Sequence, residues 1–162
     1  MLGVVFDSTI LIDLFSQRTS SEKRLRLDGL VKALAKSRTR ILIPTPCLTE
    51  LMIHANKARD KIAANLSNNS TFEIISFDQR AAIECALSLS ANWDLRTQRS
   101  ISRTKFKFDW MVGACAASRN VKTIYSDDSD IKRIAVTLGI KVVGIDDLKL
   151  SDEDRQIAID GV

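Results

Sequence analysis

Five short apolar runs, separated by stretches of helical period, decide what this chain can fold into. They lie at 2–6 (LGVVF), 41–43 (ILI), 72–77 (FEIISF), 121–125 (VKTIY) and 141–145 (KVVGI). Each is too short for a stable helix and carries β-branched or aromatic residues, which is how a strand buried in a parallel sheet reads. Between the runs, apolar residues recur every three to four positions, as at Ile10, Leu11, Leu14 and Phe15, or Leu27, Leu30, Val31 and Leu34. Ser8 is the expected cap of the first helix. Pro46 is expected in the first turn of a helix that runs to about Leu66, where its missing N–H costs nothing. Asp78 should cap the next helix, and Gly139 should end the last one. Strands alternating with helices, with paired helices after the first two, predict a three-layer α/β/α fold. Its sheet is expected to be mostly parallel and roughly five-stranded. The 162 residues suit one domain. That domain is expected over 1–146, with 147–162 as a polar tail packed on it or trailing from it.

Composition narrows the class. With 45% hydrophobic and 27% charged residues, the chain reads as an ordinary globular protein. Two prolines and six glycines leave no low-complexity linker. Cys47, Cys85 and Cys115 are odd in number, far apart and set in apolar helical surroundings. Reduced buried thiols are therefore expected, not a disulfide framework or a zinc site. The first residues lack a basic segment leading into a long apolar one, and no apolar run approaches the roughly 20 residues of a spanning helix. The expectation is a cytoplasmic protein with no membrane partner. The net charge of +4 is mild, so the placement of charge says more than its size.

In a doubly wound sheet the functional crevice lies at the carboxyl ends of the strands. Asp7 closes the first strand, and Asp127 and Asp128 close the fourth. Such acids also serve as helix caps or dipole partners. Glu50, flanked by Leu48, Leu51 and Met52, and Asp109, between Phe108 and Trp110, are harder to explain that way. A buried carboxylate takes a proton or a partner, so each is either ion-paired to a nearby Lys or Arg or part of a site. Several carboxylates in one crevice repel each other unless a cation is present. Hard oxygen ligands without His or Cys select Mg²⁺ or Mn²⁺. Ions of that kind suit phosphodiester hydrolysis.

The segment 95–107 is polar, basic and free of acids, and it leads directly to Asp109. Its Arg96, Arg99, Arg103, Lys105 and Lys107 form a candidate phosphate clamp, expected as a mobile arm beside the acids. Phe106 is either a stacking surface for an unpaired base or a core residue. His54, the one histidine, reads as a surface or packing residue one turn after Glu50. Ser8 and Thr9 have no neighbouring base, which argues against covalent serine catalysis.

At these residues the chain resembles the PIN-domain family, and within it the VapC-type toxin ribonucleases. Val4-Val5-Phe6-Asp7-Ser8 is similar to the family's first motif, and Pro46-Cys47-Leu48-Thr49-Glu50-Leu51 to its second. The third is matched by Lys107-Phe108-Asp109-Trp110-Met111-Val112-Gly113-Ala114-Cys115-Ala116, and the fourth by Tyr125-Ser126-Asp127-Asp128-Ser129-Asp130-Ile131. The resemblance runs from about Val4 to Ile145. It implies Asp7, Glu50, Asp109 and Asp128 as catalytic ligands of Mg²⁺ or Mn²⁺. Asp130 stands behind them or holds a second ion, and Ser126 takes the place of a threonine that hydrogen-bonds within the site. Asp127 competes with Asp128 for the fourth position. Ile131 replaces the usual Phe, and the segment between Glu50 and Asp109 is longer than in minimal members.

The implied activity is a metal-dependent endoribonuclease cutting single-stranded RNA, with an antitoxin protein as partner if the chain is a toxin. A homodimer is the expected assembly. Two rival classes remain. One is a phosphotransfer domain of the haloacid-dehalogenase or receiver type. For the first of these, Asp7-Ser8-Thr9 lacks the second acid; for the other, Lys141 is a weak candidate for the required lysine. The second rival is a non-catalytic RNA- or protein-binding module of the same fold.

Overall fold

The computed structural model describes residues 3–98, 100–150, 152, 154 and 155. Its sheet is built from β1 (Gly3–Phe6), β2 (Arg40–Pro44), β3 (Phe72–Ile75), β4 (Thr123–Tyr125) and β5 (Lys141–Val143). All pairings are parallel, in the order β3-β2-β1-β4-β5. The chain lays down three strands in one direction, then crosses back to place β4 on the other side of β1. The reversal opens a crevice at the carboxyl ends of β1 and β4, where Val5 pairs with Ile124 and Phe6 with Tyr125. A receiver-type sheet runs 2-1-3-4-5, so the observed order removes that rival.

The helices follow the strands as α1 (Ser8–Phe15), α2 (Ser21–Lys36), α3 (Thr45–Ala55), α4 (Arg59–Asn68), α5 (Gln79–Ala91), α6 (Asp94–Thr97), α7 (Arg103–Ala117) and α8 (Ser129–Thr137). Pro46 sits in the first turn of α3, the Asp78 side chain accepts from Ala81 N–H at the start of α5, and Gly139 has φ +67° just past α8. Three expectations are corrected. The single helix from Pro46 to Leu66 breaks at Asn56, where φ is +47° and a 3₁₀ turn separates α3 from α4. Periodicity hid this break because α4 still buries Ile62 and Leu66 on the same core. The third strand stops at Ile75, two residues early, because the Phe77 N–H is taken by Thr45 Oγ1. The segment 95–107 is folded over most of its length, not a free arm. It contains part of α6 and the first turns of α7, which Ser102 caps by accepting from Lys105 N–H at 3.2 Å. Arg99, Ser151, Glu153 and 156–162 of the tail lie outside the described residues.

One core joins both faces of the sheet and includes Val5, Phe6, Leu11, Leu27, Ile41, Ile43, Leu51 and Ile124. A second, smaller cluster unites Cys85, Phe106, Trp110, Ala114 and Ile134. Helix α7 lies between α5 and α8 and is buried nearly all round, with Val112 to Ala116 inaccessible. Its small residues permit that. A Cβ on Gly113 would stand 2.9 Å from Leu138 Cδ1 and 3.1 Å from Ile134 Cγ2. Phe106 is 2% exposed and meets Trp93 and Trp110 edge-to-face, at 5.6 and 6.1 Å between ring centres. It is a core residue, and base stacking is ruled out by its burial. The three cysteines are free and buried. Among the described residues, no helix is long and apolar enough to cross a membrane.

Removing the Phe106 ring would leave a cavity between α6, α7 and α8. Phe106→Ala is expected to lose roughly 3–5 kcal/mol in urea denaturation, and Phe106→Leu clearly less. An unchanged midpoint for Phe106→Ala would contradict this packing.

Candidate metal centre at the sheet reversal

Asp7 follows β1 and occupies the position before α1, yet its side chain makes no capping bond. Its carboxylate, 3% exposed, is held instead by its surroundings. Ser126 Oγ donates to Oδ2 at 2.8 Å, Thr9 Oγ1 donates to the same oxygen at 3.2 Å, and Ser8 Oγ reaches Oδ1 at 3.4 Å. The Cys47 thiol, on α3, faces Oδ1 at 3.6 Å. Burial raises that thiol's pKa well above the ordinary value, and the charges of Asp7 and Glu50 add to the effect. The thiol therefore stays protonated and acts as a donor to Asp7. The helix-cap explanation of Asp7 fails, because no backbone N–H of α1 donates to its carboxylate; the bonds from α1 come from the Ser8 and Thr9 hydroxyls.

Ser126 links the two strand ends. Its N–H donates to Val143 O, its hydroxyl donates to Asp7, and the same Oγ accepts from Asp128 N–H at 3.0 Å. Asp128 does serve as a cap, with Oδ1 accepting from Asp130 N–H at 2.7 Å at the start of α8. Its other oxygen, Oδ2, points to the crevice and accepts from Lys105 Nζ at 3.1 Å. Asp127 turns the opposite way. Its Oδ1 accepts from Ile145 N–H at 2.8 Å, and a Cβ on Gly144 would stand only 2.9 Å from that oxygen. Of the two neighbouring acids, the geometry favours Asp128 as the one facing Asp7.

Asp109 reaches the crevice from the second turn of α7, a helix that begins at Arg103, within the segment expected to be a mobile arm. It is 6% exposed. Burial raises its pKa, hydrogen bonding and charge from Lys105 lower it, and Asp128 and Asp7 raise it again, with a net value of about 6. The influence of both acids on this group places the three in one electrostatic neighbourhood. Glu50 is half-buried on α3, one turn beyond Cys47, and its charge reaches the thiol that faces Asp7.

Lys105 sits among the acids. Its ammonium lies 2.7 Å from Asp109, 3.1 Å from Asp128 and 3.1 Å from Asp130. Burial would lower its pKa, but these partners raise it overall. Asp130 also pairs with Arg133, and hydrogen bonds from Arg133 and Lys105 outweigh burial to hold its carboxyl below the usual range. The other basic candidates stand apart. Arg103 and Lys107 are exposed, and the Arg96 guanidinium lies 5.0 Å over the Trp93 ring. His54 is exposed on α3.

Among the described residues, no three His, Cys, Asp or Glu side chains stand ready to hold a metal ion. Asp109 and Asp128 are paired with Lys105 instead. The donor set nevertheless fits a hard divalent cation. It is all oxygen, its one thiol is held protonated, and its acids already gather around a cation. Sequence reading missed Lys105 as a partner of the acids, along with Thr9 and Arg133. Lys105 was legible as the residue four before Asp109 on one helix, had the helix been started at Arg103.

A doubly wound sheet with acids converging at its reversal defines an α/β domain whose candidate site lies at the carboxyl ends of its strands. The family model described as PIN domain matches residues 4–137, and the chain belongs to that family. Two solved structures share the fold. VapBC2 from Rickettsia felis bound to a DNA fragment from their promoter superposes with a TM-score of 0.62 at 17% identity, covering 88% of this chain and 98% of that one. DNA-bound VapBC from Salmonella typhimurium gives 0.58 at 20% identity, covering 90% and 99%. No curated protein matches the chain in sequence.

The raised pKa of Asp109 has a signed consequence. The folded state keeps this proton between the ordinary carboxyl value of 3.8 and about 6, while the unfolded chain releases it. Its contribution to stability is therefore present at low pH and lost as pH rises through that window. In chelator-treated protein, Asp109→Asn should gain in melting temperature relative to wild type as pH climbs from about 4.5 to about 7. A difference that stays flat or runs the other way would show an unshifted carboxyl.

Proposed function

We propose that the chain is a divalent-metal-dependent endoribonuclease acting on single-stranded RNA, and the toxin of a toxin–antitoxin pair. The observation that carries this reading is the gathering of acids at the sheet reversal: Ser126 ties Asp7 to the Asp128 backbone, and Lys105 pairs with Asp109 and Asp128. Family membership and the two VapBC neighbours support it. Asp7, Glu50, Asp109 and Asp128 would hold Mg²⁺ or Mn²⁺, with Asp130 behind them. The bound ion would supply positive charge to polarise a phosphodiester and to acidify a water.

The chain's own residues do the positioning. Ser126, Thr9, Ser8 and Cys47 fix the Asp7 carboxylate through hydrogen bonds and contacts, so its oxygens do not reorganise when a ligand arrives. The Asp130 backbone N–H fixes Asp128 in the same way. Arg103 and Lys107, exposed on the first turns of α7, the helix that carries Asp109, would bind the RNA backbone, with Arg96 and Arg99 as further candidates. Such contacts read phosphate and not sequence, so base choice must come from elsewhere. RNA, an antitoxin protein and a second copy of the chain are the partners this reading expects, in the cytoplasm.

Purified protein should cleave single-stranded RNA with Mg²⁺ or Mn²⁺ and stop on addition of EDTA. Asp7→Asn and Asp109→Asn should each lower the rate by at least about a hundredfold while leaving the circular dichroism spectrum intact. Arg103→Ala with Lys107→Ala should weaken RNA binding and flatten its salt dependence. Binding without cleavage under all metal conditions would favour a non-catalytic module. Cleavage that survives both Asp substitutions would place the chemistry elsewhere.

A further inference from the structure

We propose that Lys105 is a tethered counter-ion that competes with the divalent cation for the acid cluster, so that loading the site requires this lysine to swing out. The inference rests on the metal-site reading above. An ammonium has three N–H donors; here the nitrogen donates to Asp109 and Asp128 and lies 3.1 Å from Asp130. Lys105 therefore bridges the α7 and α8 sides of the cluster, at its solvent-facing side. It is delivered by covalent geometry. Four residues before Asp109 on α7, its stem runs along the helix surface toward that acid.

Burial is uneven across the pair. The Lys105 side chain is 45% exposed, whereas that of Asp109 is 8% exposed. The cation has a route to solvent, and the acid it neutralises does not. The three acids also differ in what remains when the lysine leaves. Asp130 keeps Arg133 as a partner. Asp109 and Asp128 are paired only through Lys105 in the ion pairs of the described residues. Withdrawal of one side chain thus bares two of the four acids at the family's ligand positions. A divalent ion and an ammonium cannot share those oxygens, because like charges a few ångströms apart repel strongly in a partly buried site. At low metal concentration the lysine holds the site closed and stabilises it, and the occupied site pays for its displacement with weaker apparent affinity.

The test is Mn²⁺ binding at low ionic strength, read from the electron paramagnetic resonance signal of the free ion. It compares wild type with Lys105→Met, Lys105→Gln and Asp7→Asn. Both Lys105 variants should bind Mn²⁺ more tightly than wild type, by about tenfold or more. In the chelator-treated state they should melt at lower temperature than wild type, and saturating Mn²⁺ should raise their melting point by more. Unchanged affinity in both Lys105 variants would overturn the inference and leave the metal site standing. Wild type that binds no Mn²⁺, or Asp7→Asn that binds as well as wild type, would remove the metal reading and the inference with it.

Discussion

Carboxylates crowded into one half-buried crevice repel each other, and most of what is distinctive in this structure answers that repulsion. Asp7, Asp109 and Asp128 come from three separate elements to the point where the sheet reverses direction. Without compensation the fold would open there first, or the acids would take up protons. The raised pKa of Asp109 comes mainly from its burial, with the charges of Asp128 and Asp7 adding to it, and Lys105 opposes both. Hydroxyl and thiol donors from Ser126, Thr9, Ser8 and Cys47 distribute the remaining charge on Asp7. Each of these groups either neutralises an oxygen or fixes its direction.

The scaffold makes the convergence possible. Parallel strands end at a common level, so the residues after β1 and β4 become neighbours although 118 positions separate Thr9 from Asp127. Asp109 needs more, because a helix has to carry it inward. Helix α7 manages this with a stripe of small residues, Gly113 to Ala116, that lets it lie close under α5 and α8. The rings of Phe106 and Trp110 flank the acid in sequence and anchor that end of the helix in the second apolar cluster. An acid between such anchors has little freedom to turn away, which is why its environment is so strongly perturbed.

Much of this was legible in the sequence, for definable reasons. The strands announced themselves as brief apolar runs, and their alternation with helical patterns led to the three-layer fold with its parallel sheet. Asp7 and Asp128 were legible because strand ends are where such folds keep their chemistry. Other features were not legible because they depend on contacts between distant segments. The break at Asn56 left the apolar period intact, so nothing local betrayed it. The basic stretch before Asp109 read as a solvated arm by composition, yet Ser102 caps a helix there and Trp93 and Trp110 bury Phe106. Asp127 and Asp128 were indistinguishable by type; long-range bonds separate them, from the Ile145 N–H to Asp127 and from Lys105 to Asp128.

If the acids after β1, on α7 and after β4 share one cation, crystals soaked in Mn²⁺ will reveal it by anomalous diffraction. The expected result is a single strong peak bounded by Asp7, Asp109 and Asp128 at a coordination distance of about 2.1 Å, with the Lys105 ammonium moved out of the cluster. A peak ligated by Asp127, a peak remote from Asp7, or an ammonium still bridging Asp109 and Asp128 beside the bound ion would contradict it.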